Sequence, residues 1–341
     1  MVLLNEYNMK SVSIIIPLYN AEAFIENCFI QICNQTFDHS RMECIFVNDG
    51  SKDRSMSITT TLISQNETLI NFSLVCHDYN LGVSAARNTG INHARNKYIY
   101  FMDVDDTIMP NCIQYLVNAA ENYSHADVIV GNVITKKSGL FHHNNSAAYT
   151  VKTKSQNLHD TLLFIYAGYS YNKIISKEFI IKNRLYFPIG IPYFEDLHWN
   201  IDLAICCDEI VYLPEVTYIY EDNSTSAMST IDGKRELVAK CYWSLIEKGL
   251  SLNKSDNVIE THLFIFFYIK KLLTMGTVNS ISKKEISKVR WHLIKQSFTF
   301  RKYLLFLFDL QLYLPFLWIS ELRFFKNRSV ELRLWVCNKC K

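Results

Sequence analysis

Tyr98-Ile-Tyr-Phe-Met102 is an unbroken apolar run, and three acids follow it almost at once: Asp103, Asp105 and Asp106. A short run of β-branched and aromatic residues without polar alternation is the pattern of a strand covered on both faces, as in the middle of a parallel sheet. Ligands of open α/β sheets collect beyond the carboxyl ends of such strands. Acids at that edge put hard oxygen donors where a divalent cation can meet a diphosphate. An Asp-x-Asp by itself is common, so the reading depends on the chain upstream.

Upstream, strand and helix signals alternate with short loops, the pattern of βαβ units. Ser11 to Pro17 reads as a strand and Ala21 to Asn34 as a helix. Glu43 to Val47 is a strand closed by Asn48-Asp49-Gly50-Ser51, and a helix follows from about Asp53, with Ser51 or Asp53 suited to cap it. Phe72 to His77 is a third strand, Gly82 to Ala94 and Asn111 to Asn122 are helices, and Asp127 to Val133 is a further strand. From about residue 134 the alternation loosens into mixed short elements, and beyond Ile231 the pattern is helical.

With 341 residues, 49% of them hydrophobic and 20% charged, the chain has the makings of a packed core and is not a disordered segment. The net charge of +2 is unevenly spread. Lys295 to Lys341 holds nine Lys/Arg against three acids, about +6, which leaves about −4 for everything before it. A basic segment of that kind suits a polyanionic partner. Within it, Tyr303 to Ile319 is nearly continuous in Leu, Phe, Tyr and Trp but is broken by Asp309, Gln311 and Pro315. It falls short of a membrane span, and two readings stand: a helix lying in a membrane interface, or one packed on the rest of the protein. Aromatics embedded in Leu runs are not spaced for stacking on bases, so nucleic acid is not the expected partner.

Met1 to Lys10 is polar and has no apolar core of a signal peptide, so the expected state is a reduced, cytoplasmic chain with structural thiols. The ten cysteines are irregularly spaced, Cys337-Asn-Lys-Cys340 has no second pair with which to build a zinc site, and His142-His143 sits in a polar stretch that reads as solvated.

Several residues at the loop ends carry chemistry. Pro17 cannot donate to a ladder and is expected to end the first strand, and Tyr19 after it can stack on a base or ribose. Asp49 can accept a hydrogen bond, for which uracil N3–H is an apt donor; an ordinary βα turn served by Asp and Gly is the other reading. In Asn80-Leu-Gly82-Val-Ser84-Ala-Ala-Arg87-Asn88-Thr89-Gly90, Gly82 permits a tight entry to a helix whose N-terminus favours anions. Arg87 is placed to meet phosphate or to pair with an acid of the Asp103 group.

Four motifs in this order resemble the donor-binding half of an inverting family-2 glycosyltransferase with the GT-A fold. They are Ser-Ile-Ile-Ile-Pro-Leu-Tyr-Asn from Ser13, Val-Asn-Asp-Gly-Ser-Lys-Asp from Val47, the Asn80 to Gly90 segment, and Phe-Met-Asp-Val-Asp-Asp from Phe101. The resemblance implies an α/β, Rossmann-like nucleotide-sugar-binding domain and a UDP-sugar donor. Pro17, Tyr19, Glu22 and Asp49 would line base and ribose, Arg87 would serve the donor side, Asp103 would sit by the ribose, and Asp105, with Asp103, would ligate Mg²⁺ or Mn²⁺. Tyr171-Asn172-Lys173, Tyr186-Phe187-Pro188 and Phe194-Glu195-Asp196-Leu-His-Trp are similar to the family's acceptor-side pattern, although Tyr171 stands where Trp is more usual. Displacement at the anomeric carbon needs a carboxylate to take the acceptor hydroxyl's proton. Asp196 is the expected base, with Glu195 the second choice.

The domain expectation is a catalytic domain over 1–230, with a donor half at about 11–130 and an acceptor half at about 131–230, followed by a helical region over 231–341. The product expected is a bacterial surface polysaccharide such as O-antigen or capsule, and the acceptor a saccharide on a membrane lipid, with the enzyme peripheral on the inner face of the cell membrane. Two other readings compete with this one. A sugar-nucleotide pyrophosphorylase would want a Gly-rich loop after the first strand, where this chain has Pro17-Leu-Tyr-Asn20. A non-catalytic relative would have no need of both acid pairs.

Overall fold

The computed structural model describes residues 11–66, 68–135, 148–163, 169–221, 234–252 and 258–274, with the single positions 285, 288 and 289. Met1 to Lys10, His142-His143, the basic apolar segment from Lys295 and Cys337/Cys340 lie outside the described residues. Two compact units divide at Lys234/Arg235.

The first unit opens as a regular α/β alternation: β1 (Val12–Leu18), α1 (Ile25–Cys33), β2 (Met42–Asn48), α2 (Ser55–Gln65), β3 (Asn71–Cys76), α3 (Val83–His93) and β4 (Tyr98–Phe101). A two-residue β5 (Thr107–Ile108) and α4 (Cys112–Asn122) lead into β6 (Val128–Thr135), β7 (Thr150–Thr153), α5 (Lys154–Leu162), β8 (Lys173–Ser176), α6 (Lys177–Asn183), α7 (Glu195–Cys206) and β9 (Glu209–Tyr220). Among the described residues the strands form one sheet in the order β3-β2-β1-β4-β8-β6-β9-β5, with β7 paired to β9. The second unit shows α8 (Arg235–Ser251) and α9 (Val258–Thr274).

Period-2 alternation accounts for the core on both sheet faces. Ile14, Ile16, Tyr98 and Tyr100 pack on one side with α1 and α4 residues such as Phe29 and Leu116. Ile15, Ile99 and Phe101 pack on the other with Ala86, Ile91, Phe187 and Trp199. Helix α3 approaches β1 so closely at Gly90 that a Cβ there would lie 2.2 Å from Ile15 Cγ2.

Three expectations about the elements need correction. The sheet is mixed: β4 pairs in parallel with β1 but antiparallel with β8. The continuous apolar run marks burial on both faces, which either strand direction provides. Strand β1 also runs through Pro17 to Leu18. The carbonyl of Ile15 accepts from Met102 N, so Pro17, two residues on, directs its missing donor toward the same neighbour, past the last β1–β4 pair at Ile15/Phe101. No ladder bond is lost there. Helix α1, lastly, starts four residues later than Ala21. Asn20 turns through φ 50, and the N–H groups of Ala21 and Glu22 donate to Ser55 Oγ at 2.8 Å and Asp53 Oδ2 at 3.1 Å. They are committed to the neighbouring loop.

Candidate active site

The strand order reverses between β1, which leads on to β2 and β3, and β4. That is the topological switch point at which open α/β sheets bind ligands. The loops after β1, β2 and β3 and the acids after β4 all emerge at this edge.

The β1 and β2 loops are tied together. Asn20 N donates to Ser51 Oγ at 3.1 Å and Lys52 N to Asn20 Oδ1 at 2.8 Å. The Glu22 carboxylate accepts from Arg54 N at 3.0 Å and Arg54 Nε at 3.3 Å. Asp53 accepts from Ser55 N at 3.0 Å, while Arg54, not Ser51 or Asp53, holds the position before α2. These bonds leave Tyr19 on the surface, 51% exposed.

Asp49 is already bonded within the protein. It is buried, and its Oδ1 accepts from Leu81 N at 2.9 Å and faces His77 Nδ1 at 2.7 Å, while Oδ2 accepts from Gly82 N at 2.8 Å. Gly50 beside it, at φ 69, lies under the Tyr79–Asn80 backbone, where a Cβ would be 2.5 Å from the Tyr79 carbonyl carbon. The turn reading is therefore the one its contacts support: Asp49 clamps the loop that enters α3. Gly82, at φ 92, makes that entry.

Arg87 joins the two halves. Buried on α3, it donates from Nη2 to Asp103 Oδ1 at 2.9 Å and from Nη1 to Glu195 Oε1 at 3.0 Å. Its guanidinium lies 5.2 Å from the centre of the Phe187 ring. Phe187 stacks on Trp199 at 4.6 Å, and Phe101 meets both edge-on at 5.2 and 5.8 Å. Aromatic pairs of this kind add about 0.5–1.5 kcal/mol each beyond burial, and here they seat α7 against β4. The neighbouring Asn88 exchanges two hydrogen bonds with the Phe187 backbone, at 2.8 and 2.9 Å. Sequence reasoning missed Asn88, although it stands inside the motif that contains Arg87.

The three acids after β4 have different surroundings. Asp103 is partly exposed and paired with Arg87; Asp105 is likewise partly exposed. Asp106 is buried, with Tyr218 OH donating to Oδ2 at 2.7 Å and Glu221 N to Oδ1 at 2.9 Å. Burial first, and then the Asp103 charge, raise its pKa to about 8. It anchors the acidic turn to β9. Gln31 of α1 steadies the same segment by accepting from Ile108 N at 2.7 Å.

On the other side, Glu195 and Asp196 open α7 directly after Phe194, whose φ is 65. Glu195 is held by Arg87, whereas Asp196 Oδ1 accepts from Leu197 N at 2.8 Å. Burial, followed by the adjacent Glu195 charge, raises the Asp196 pKa to about 7, and Arg87 opposes the rise. Tyr171 is buried within a ladder of rings, 4.2 Å from Tyr218 and 4.7 Å from Tyr169, so it offers no open face for an acceptor.

Asp103 and Asp105 suit a hard cation that takes one or two carboxylates and completes its shell from phosphate and water. Among the described residues no group of three or more His, Cys, Asp or Glu is arranged to hold a metal through the protein alone. No helix among them is long and apolar enough to cross a membrane.

Residues 13–182 match the family model described as Glycosyl transferase family 2. EpsJ of Bacillus subtilis (strain 168), an uncharacterized glycosyltransferase, is 34% identical over 224 residues, covering 63% of this chain and 62% of EpsJ. The minor teichoic acid biosynthesis protein GgaA of the same strain is 26% identical over 288 residues, covering 81% of this chain and 62% of its own length. The chain thus spans less than two thirds of either relative. Among solved structures, S. aureus TarS 1–349 in complex with UDP-GlcNAc superposes with a TM-score of 0.61 at 19% identity, covering 78% of this chain and 73% of TarS. The mannosyltransferase PcManGT of Pyrobaculum calidifontis, in complex with GDP-Man and Mn²⁺, gives 0.53 at 15% identity, covering 96% and 88%. Motifs, topology and matches agree: this chain belongs to the Glycosyl transferase family 2 and has the GT-A fold.

Proposed function

We propose that the enzyme moves a sugar from a UDP-sugar to a saccharide acceptor by direct, inverting displacement, with a divalent cation at the donor. The observation that carries this reading is Arg87, which spans Asp103 and Glu195 and so brings the carboxylates proposed for the donor and acceptor sides together on one guanidinium. Tyr19 would stack on the base. Pro17 and Glu22 would shape the base and ribose site from the β1 loop, Glu22 through its bonds to Arg54. Asp49 would act indirectly, by holding the Gly82 entry to α3. Asp103 and Asp105 would hold Mg²⁺ or Mn²⁺, which, when bound, neutralises charge on the diphosphate.

The two acids of α7 divide the work. Glu195 is occupied by Arg87, which leaves Asp196 as the base. Its raised pKa strengthens it as a proton acceptor near neutrality. It would take the acceptor hydroxyl's proton as that oxygen bonds to the anomeric carbon and the bond to UDP breaks.

The relative named for minor teichoic acid biosynthesis supports a cell-surface polysaccharide as the product; the acceptor would then be a saccharide on a membrane lipid, met at the inner face of the membrane. The basic segment from Lys295 would then dock on anionic lipid, each cation near the surface adding on the order of 1 kcal/mol. Liposome flotation of the full chain and of a version ending before Lys295 tests this: equal binding by both, or by neither, rejects it. For the donor, a panel of UDP-glucose, UDP-galactose, UDP-N-acetylglucosamine and GDP-mannose is assayed for slow release of nucleotide with Mn²⁺. One UDP-sugar should be turned over, and EDTA should stop it. A preference for GDP-mannose, or full turnover in EDTA, overturns the reading.

A further inference from the structure

Lys173, at the start of β8, is buried yet has no part in the chemistry above. Its Nζ donates to the Tyr169 carbonyl and, at 3.2 Å, to Asn200 Oδ1. Asn200, on α7, donates through Nδ2 to the same Tyr169 carbonyl at 2.9 Å and to the Asp196 carbonyl at 2.8 Å. One ammonium thus gathers the segment before β8, β8 itself and the first turn of α7.

The backbone on both sides of this ring is held in unusual conformations. Asn172, just before Lys173, has φ 63 and donates through Nδ2 to the Gly131 carbonyl at 2.7 Å. Phe194, just before the acid pair, has φ 65. A bulky residue in the left-handed region costs of order 1–3 kcal/mol and persists only where its surroundings impose it. An ammonium buried against carbonyls is also expensive relative to an apolar side chain of similar size. Burial lowers the pKa of Lys173 to about 7, and the charge that resists this is that of Asp196.

We propose that Lys173 is a positioning residue for the transfer step: through Asn200 it fixes the first turn of α7, and its charge helps to keep the Asp196 carboxylate ionised. This rests on Asp196 being the base. The other charged groups around Asp196 are Glu195 on its own helix, Arg87 from α3 and Asp103 from the end of β4, with the Tyr169 phenol nearby.

The test compares Lys173→Met, Lys173→Gln and Asp196→Asn in the full chain. UDP affinity with Mn²⁺ is measured by calorimetry, and kcat is followed against pH on the UDP-sugar that the wild type turns over. Lys173→Met should bind UDP within about twofold of wild type and lose roughly tenfold or more in kcat, as a displaced reacting group does. The acid limb of its pH profile should move to higher pH, because removing a cation raises a neighbouring carboxylate's pKa. Lys173→Gln, which keeps a donor without the charge, should recover part of kcat and retain the shift. An unmoved acid limb in the folded variants, UDP affinity falling in parallel with kcat, or failure of both variants to fold overturns the proposal. If Asp196→Asn is inactive while the limb is unmoved, this inference alone fails; if Asp196→Asn stays active, the base assignment fails with it.

Discussion

The two sides of the proposed site, the donor side and the acceptor side, are built differently. At the donor edge, consecutive parallel strands end in short loops, and most of the bonds that shape it involve backbone N–H groups: Asp49 to the Gly82 entry, Asn20 to Lys52, Glu22 to Arg54. On the acceptor side, side chains brought from β8, α7 and β9 interlock in buried networks, and there Asp196 and Lys173 are pushed toward neutrality. Sites that only bind can be made from turn geometry. A site that must move a proton needs groups whose burial and neighbours set when they ionise.

That contrast predicts that donor-edge variants lose nucleotide binding and turnover together, whereas acceptor-side variants lose turnover alone. The largest effect is expected for Asp105→Ala. Removing a donor-site carboxylate should cost several kcal/mol of Lewis-acid assistance and abolish Mn²⁺-dependent UDP binding while the circular dichroism spectrum is unchanged. Normal UDP affinity in this variant would break the distinction between the two sides.

Next comes Asp196→Asn, which should keep UDP affinity within a few-fold and cut kcat by roughly 10²–10⁴, the range for a lost general base. Glu195→Gln should be milder. In the wild type, protonation would disable Asp196 as the proposed base, so kcat should fall as pH drops through about 7, the value to which burial raises Asp196. A rate that is flat from neutrality down to the ordinary carboxylate range would place the essential proton elsewhere.

The smallest effect, and the sharpest probe of the joint, is Arg87→Lys. Lysine keeps the charge but not the fork that reaches two carboxylates from separate nitrogens. Losing one hydrogen bond to a charged partner costs about 1.5–3 kcal/mol, so kcat should fall about tenfold to a hundredfold, with donor affinity and acceptor turnover both impaired. A defect confined to one of them would mean that Asp103 and Glu195 are not coupled through this residue.

The sheet edge formed by the loops after β1 to β4 is legible in the sequence because its parts are local in the chain. Apolar strands, turn residues and the Asp103 group recur in order, and each strand end in a βα alternation has to meet the same sheet edge. What sequence alone could not settle was where acceptors and donors on those residues would be satisfied. Asp49 carries an acceptor suited to a base, but the loop before Gly82 uses it, through the backbone N–H groups of Leu81 and Gly82. Tyr171 stands where Trp is more usual in the family's pattern, and the ring ladder buries it. The pairing of β8 against β4, the reach of Arg87 from residue 87 to residue 195, and the ring of Lys173, Asn200 and Asp196 are contacts between distant segments. Composition and periodicity report which face of an element is apolar. Only the packed structure decides which buried polar group meets which, because each must find a partner once water is excluded.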